Sequence, residues 1–101
     1  MDYPAPVSVG QYDPMKSGDV LDLYLDVAAD LEEGETVASV DFEVRDSAGL
    51  VVEDVVGDHT ETSSRSNFRL TAPAAGTYEL AAVFTISDGQ ILTRIASLWV
   101  V

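Results

Sequence analysis

Apolar and polar side chains alternate along most of this chain, and the spacing of three and four that marks a helix stripe is absent. Alternation at period two belongs to strands with one buried face. Leu21, Leu23, Leu25 and Val27 fall on one side of the first such stretch, with Asp22, Tyr24 and Asp26 on the other. After a break at Asp30-Leu31-Glu32-Glu33-Gly34, Val40, Phe42 and Val44 alternate with Asp41, Glu43 and Arg45. Asp46-Ser47-Ala48-Gly49 then reads as a hairpin-type turn, with glycine at the end where a positive φ is cheapest. Residues 50–56 read as a short answering strand. Residues 57–67 are polar, rich in serine and threonine and without apolar periodicity, so they read as a loop or a ragged edge crossing between sheets. Phe68 and Leu70 resume the strand signal, and Ala72-Pro73-Ala74-Ala75-Gly76 turns it. Tyr78, Leu80, Ala82, Phe84 and Ile86 make the longest alternating run. Ser87-Asp88-Gly89 turns the chain into a last strand over residues 91–101, with Ala96, Leu98 and Val100 on one face and Ile95, Ser97 and Trp99 on the other.

About seven short strands, with turn signals every ~8–12 residues, predict an all-β fold: a single immunoglobulin-like β-sandwich of antiparallel strands with an extended N-terminal arm. Gly76-Thr77-Tyr78 adds a cue, a tyrosine near the start of the penultimate strand whose phenol can tie a strand-to-strand corner back to the backbone. Residues 13–101 are expected to form the sandwich. Residues 1–12 are expected to be an arm laid across a neighbour or a first edge strand, because Pro4 and Pro6 favour extended backbone that cannot join a central strand. The 101 residues fit one domain with one core. Without cysteine there is no disulfide frame and no thiolate metal site. The start, Met1-Asp2-Tyr3-Pro4-Ala5-Pro6, lacks the basic and apolar segments of a signal peptide, and no apolar run approaches the ~20 residues of a membrane span. The expectation is a chain that is not exported by that route.

Charge changes the picture more than composition does. Apolar residues make up 47 % and charged ones 23 %, ordinary for a globular domain, yet 18 acidic residues face five basic ones for a net charge of −13. A small domain stays soluble with a net charge of magnitude roughly 2–8. The excess brings self-repulsion that concentrated salt or a cationic partner surface must offset. It also excludes nucleic acid and anionic membrane as direct partners, since both demand lysine and arginine stripes.

Candidate chemistry is sparse. His59 follows Asp58 and lies near Ser63 and Ser64, but all sit in one polar stretch without the rigid frame, oriented base and oxyanion site that a triad needs. Asp30, Glu32, Glu33 and Glu35, with Asp19 or Asp88, could approach one another, yet no calcium-loop spacing is present and the reading is of solvated acidic loops. No paired-carboxylate signature stands out. The expectation is therefore no enzyme, no catalytic residue, no cofactor and no metal. Trp99 and Ile95 face outward if Ala96, Leu98 and Val100 fill the core, and tryptophan is enriched at interface centres. The opposite register makes Trp99 a core residue, and a one-residue slip separates the two. The candidate protein interface is Tyr3, Pro4, Pro6 and Val7 on the arm, with Ile95 and Trp99 on the last strand.

Three stretches together resemble a family: small immunoglobulin-like structural modules among the virion genes of tailed bacteriophages and related tailed viruses. They are Asp13-Pro14-Met15-Lys16-Ser17-Gly18-Asp19-Val20-Leu21-Asp22, then Gly34-Glu35-Thr36-Val37-Ala38-Ser39, then Gly76-Thr77-Tyr78-Glu79-Leu80 with Ser87-Asp88-Gly89 and Arg94. Phe42 stands where many such modules have tryptophan. The resemblance implies a non-enzymatic virion protein, first of all a capsid decoration or head accessory protein, with a tail, fibre or head–tail accessory module as the alternative. It implies other virion proteins as partners, major capsid or head–tail proteins, with the chain repeated as a homo-oligomer on the particle. The expected location is the virion, assembled in host cytoplasm and exposed to the medium. Eleven aspartates against seven glutamates and a single lysine resemble proteins of salt-loving organisms, so a virus of a halophilic (haloarchaeal) host is expected. A rival of another class is a cell-surface adhesion or carbohydrate-binding module, whose aromatic platform could come only from Trp99 with Tyr3, Tyr12 and Tyr24.

Overall fold

A computed structural model describes residues 11–101. These residues form six strands in two antiparallel sheets. One sheet has the order β1 (Val20–Asp26), β4 (Arg65–Thr71), β3 (Val56–Glu61); the other has β2 (Val37–Asp46), β5 (Gly76–Ile86), β6 (Ile91–Val100). A single 3₁₀ turn, Ala28–Asp30, follows β1. The inward set of each strand is the one its alternation predicts: Leu23 and Leu25 from β1, Val40 and Val44 from β2, Phe68 and Leu70 from β4 and Leu80, Ala82, Phe84 and Ile86 from β5 are all buried. The sheets therefore close on each other as a two-layer sandwich with most polar positions outward and Ser66 buried between them.

Two stretches differ from the sequence expectation. Of residues 50–56 only Val56 joins a strand, as the first residue of β3: Val51 makes one bridge to Arg45, the Val52 N–H donates to the Val44 carbonyl at 2.8 Å, and the chain crosses to the other sheet. Residues 57–67, read as a loop, instead carry most of β3 and the start of β4. The reason is that β3 is an edge strand exposed along most of its length, so backbone pairing with β4 holds it and no apolar alternation betrays it.

The place of a seventh strand is taken by residues 11–15, which run parallel to β6 through bridges Gln11–Ser97 and Met15–Val100. Met15 N–H donates to the Trp99 carbonyl at 2.9 Å and Val101 N–H to the Met15 carbonyl at 2.7 Å. Tyr12, expected at the end of an arm, is only 2 % exposed. Its ring meets Phe68 edge-on and its hydroxyl donates to the Tyr24 carbonyl of β1 at 2.7 Å, so one residue ties the β6 edge to the opposite sheet. A second tie is the Arg94 guanidinium of β6, ion-paired to Asp30 in the turn after β1. The corner before β5 is closed as expected, with Tyr78 Oη donating to the Ala74 carbonyl at 2.6 Å.

Candidate docking surface

The two outer faces of the sandwich are chemically unlike. In antiparallel pairs, directly opposed residues share a face. On β5 and β6 the outward pairs are Thr77–Trp99, Glu79–Ser97, Ala81–Ile95, Val83–Thr93 and Thr85–Ile91, so of ten outward side chains only Glu79 is charged. Trp99 and Ile95 are each 47 % exposed and Ile91 is 65 % exposed. The last strand thus takes the outward register for Trp99, because Ala96, Leu98 and Val100 fill the core. Alongside, β2 places Asp41 and Glu43 beside Val83 and Ala81, and Arg45 beside Glu79. Arg45 is ion-paired to Glu43 and donates to the Gly49 carbonyl at 2.7 Å. A depression of about 640 Å³ lies between Trp99, Thr77, Glu79 and the turn from Arg45 to Gly49. That turn is built locally: Asp46 Oδ1 accepts from the Ala48 and Leu50 N–H groups, and Gly49 sits at φ 83°.

The face of the other sheet is charged, and its arginines are paired with carboxylates of the same sheet. Arg69 donates through Nε and Nη2 to the two oxygens of Asp22 at 2.9 and 3.1 Å, a fork that holds the Asp22 carboxyl below the usual aspartate range. Arg65 pairs with Asp26 at 3.3 Å and lies 4.1 Å over the Tyr24 ring. Tyr24 and Trp99 therefore occupy opposite outer faces and Tyr12 is buried, so no shared aromatic platform forms from the three.

The clusters singled out in the sequence resolve into turn and strand chemistry. His59 packs edge-on against Phe42 at 5.2 Å and meets Glu61 through Nδ1 at 2.9 Å, while Asp58 lies on the other side of β3 near Asp22 and Arg69. Glu35 Oε1 accepts from the Glu32 N–H. The neighbouring Asp88 carboxyl raises the Glu35 carboxyl above its ordinary value, while Asp88 is held below its own. Among the described residues no three His, Cys, Asp or Glu side chains come together as a metal site.

Of the expected interface residues, Ile95 and Trp99 share the outer face of β6. Tyr3, Pro4, Pro6 and Val7 lie outside the described residues. Sequence reading missed Ala81, Val83 and Ile91 on that same face. The signal was present in β5, whose outward positions between Glu79 and Thr85 are also apolar.

No curated protein matches the chain. Among solved structures, CopC from Methylosinus trichosporium OB3b is similar at a TM-score of 0.57 and 19 % identity, covering 87 % of this chain and 81 % of its own, which speaks to the sandwich fold alone. The solution structure of Amebosin aligns at a TM-score of 0.42 and 14 % identity, covering 88 % of this chain and 87 % of its own. The sequence model of a tailed-phage structural family, described as podophage GP4 fiber-tail adaptor protein gp77, matches residues 15–99, nearly the whole sandwich. By that match the chain belongs to the podophage GP4 fiber-tail adaptor protein family.

Proposed function

We propose that this chain is a non-enzymatic tail component that joins fibre to tail in a tailed virus, holding its neighbours through the surface of a rigid sandwich. The observation that carries the reading is the family match over residues 15–99. It favours the tail alternative over the head-decoration reading. The chemistry agrees with a structural role: the polar clusters are spent on turns and on ties between strands, and Ile91, Ile95 and Trp99 stand exposed together on one sheet face. Partners are other virion proteins, since a net charge of −13 disfavours nucleic acid and anionic lipid. A halophilic host would explain the acidity by screening it.

Fractionation of purified particles into heads and tails, followed by quantitative mass spectrometry, tests this. The chain is expected in the tail fraction in several copies per particle. Recovery with the head shell, or absence from particles, overturns the reading.

A further inference from the structure

The outer face of β5 and β6 runs against the rest of the molecule. Eighteen of 101 residues are acidic, yet one carboxylate, Glu79, appears among ten outward positions. Exposed β edges and faces are ordinarily kept apart from other proteins by lysines, prolines and inward charges. Here the outward positions of β6 are Ile91, Thr93, Ile95, Ser97 and Trp99, with no charge at all. Depletion of charge at the centre, with an aromatic anchor beside a depression, is the anatomy of a protein interface.

We propose that this face, centred on Ile95 and Trp99, docks a different virion protein whose contacting surface is apolar at its centre and cationic at its rim, rather than a second copy of this chain. The proposal rests on the adaptor reading above. Charge decides the occupant. Asp41, Glu43 and Glu79 edge the face with three carboxylates against the single guanidinium of Arg45, which Glu43 already holds. All four arginines are already engaged with carboxylates of their own chain: Arg45 with Glu43, Arg65 with Asp26, Arg69 with Asp22 and Arg94 with Asp30. A second copy would therefore set one acidic rim against another, each body carrying −13, with no free guanidinium to offer. Lysines and arginines on a different protein would complement the rim and speed encounter.

Size limits what this face can hold alone. Strands of ten residues at a rise of ~3.3 Å, two abreast at ~4.8 Å, give a face of roughly 320 Å². A stable interface takes about 800 Å² per partner, so this face alone does not hold a dimer in solution. It suffices as one contact in a particle where several copies bind together.

The test supplies the gene in trans to a virus deleted for it and counts copies of the chain per purified particle. Ile95→Glu and Trp99→Glu should lower incorporation by about tenfold or more, with melting curves of the purified variants confirming the fold. Glu79→Lys should lower it less, and the deficit should shrink when particles assemble at higher salt. Thr60→Glu, on the outer face of the other sheet, should incorporate like wild type. Wild-type levels for both Ile95→Glu and Trp99→Glu overturn the docking face while leaving the adaptor reading intact. Failure of the wild-type chain to enter particles overturns the adaptor reading and the proposal with it. A wild-type dimer in sedimentation that Ile95→Glu disperses overturns the choice of a different protein as occupant.

Discussion

Replacing Tyr12 with phenylalanine should produce a stability difference that reverses sign with pH. The phenol is 2 % exposed, its hydroxyl donates to the Tyr24 carbonyl at 2.7 Å, and burial, with a smaller contribution from the neighbouring Tyr24, pushes its pKa far above the ordinary 10. The folded chain thus keeps a proton that the unfolded chain releases above about pH 10. The contribution is complete below that pH and is lost as pH rises, by about 1.4 kcal/mol for each further unit. Tyr12→Phe forfeits the hydrogen bond, worth about 1 kcal/mol, and removes the titrating group. Wild type should therefore lead by about 1 kcal/mol at neutral pH, and the two stability curves should cross between about pH 10.5 and 11, where the loss reaches that size. Urea unfolding followed by far-ultraviolet dichroism across this range measures it. Curves that decline in parallel would show a solvated hydroxyl, and the tie between the β6 edge and β1 would have to be abandoned.

Phe84→Ala removes a fully buried ring near the C-terminal end of β5 and should cost about 3–5 kcal/mol by chemical denaturation, a large part of the stability of a domain this size; a loss below about 1 kcal/mol would place Phe84 outside the core. Asp22→Asn breaks the fork with Arg69, whose hydrogen bonds hold the carboxyl low. Because the folded pKa is depressed, the wild-type advantage is present above the ordinary aspartate value of 3.8 and disappears as pH falls below it. Acid titrations of the two proteins should converge at low pH, and a gap that persists there would contradict the pairing. Raising salt from about 0.01 to 1 M shortens the screening length from ~30 to ~3 Å and should raise the melting temperature of a chain at −13; a flat or falling response means that self-repulsion is not a significant cost.

The parts of the fold legible in the sequence are those where one face is buried and the other wet. β1, β2, β5 and β6 each carry that alternation, and Tyr78 announced its corner because the phenol acts on a carbonyl four residues away. β3 escaped because its side chains are mostly exposed and its pairing is a matter of backbone alone. Tyr12 escaped for a different reason. It is flanked by Gln11 and Asp13 with no period to join, and its partners Tyr24 and Phe68 are remote in sequence, so only the closed sandwich gives it a place. The docking face was half legible. Ile95 and Trp99 alternate with Ala96, Leu98 and Val100, so both faces of β6 looked apolar and either could have been the core. The choice was made by β5, whose Leu80, Ala82, Phe84 and Ile86 pack inward and fix the register of its neighbour.

A cryo-EM reconstruction of the intact particle bears most directly on whether this sandwich works as a tail adaptor. Density for two three-stranded sheets should appear where fibre meets tail, with the β5–β6 face turned against a different protein and the Asp22–Arg69 face toward solvent. Density of that shape on the head shell, or a complete tail in which it is missing, would contradict the account.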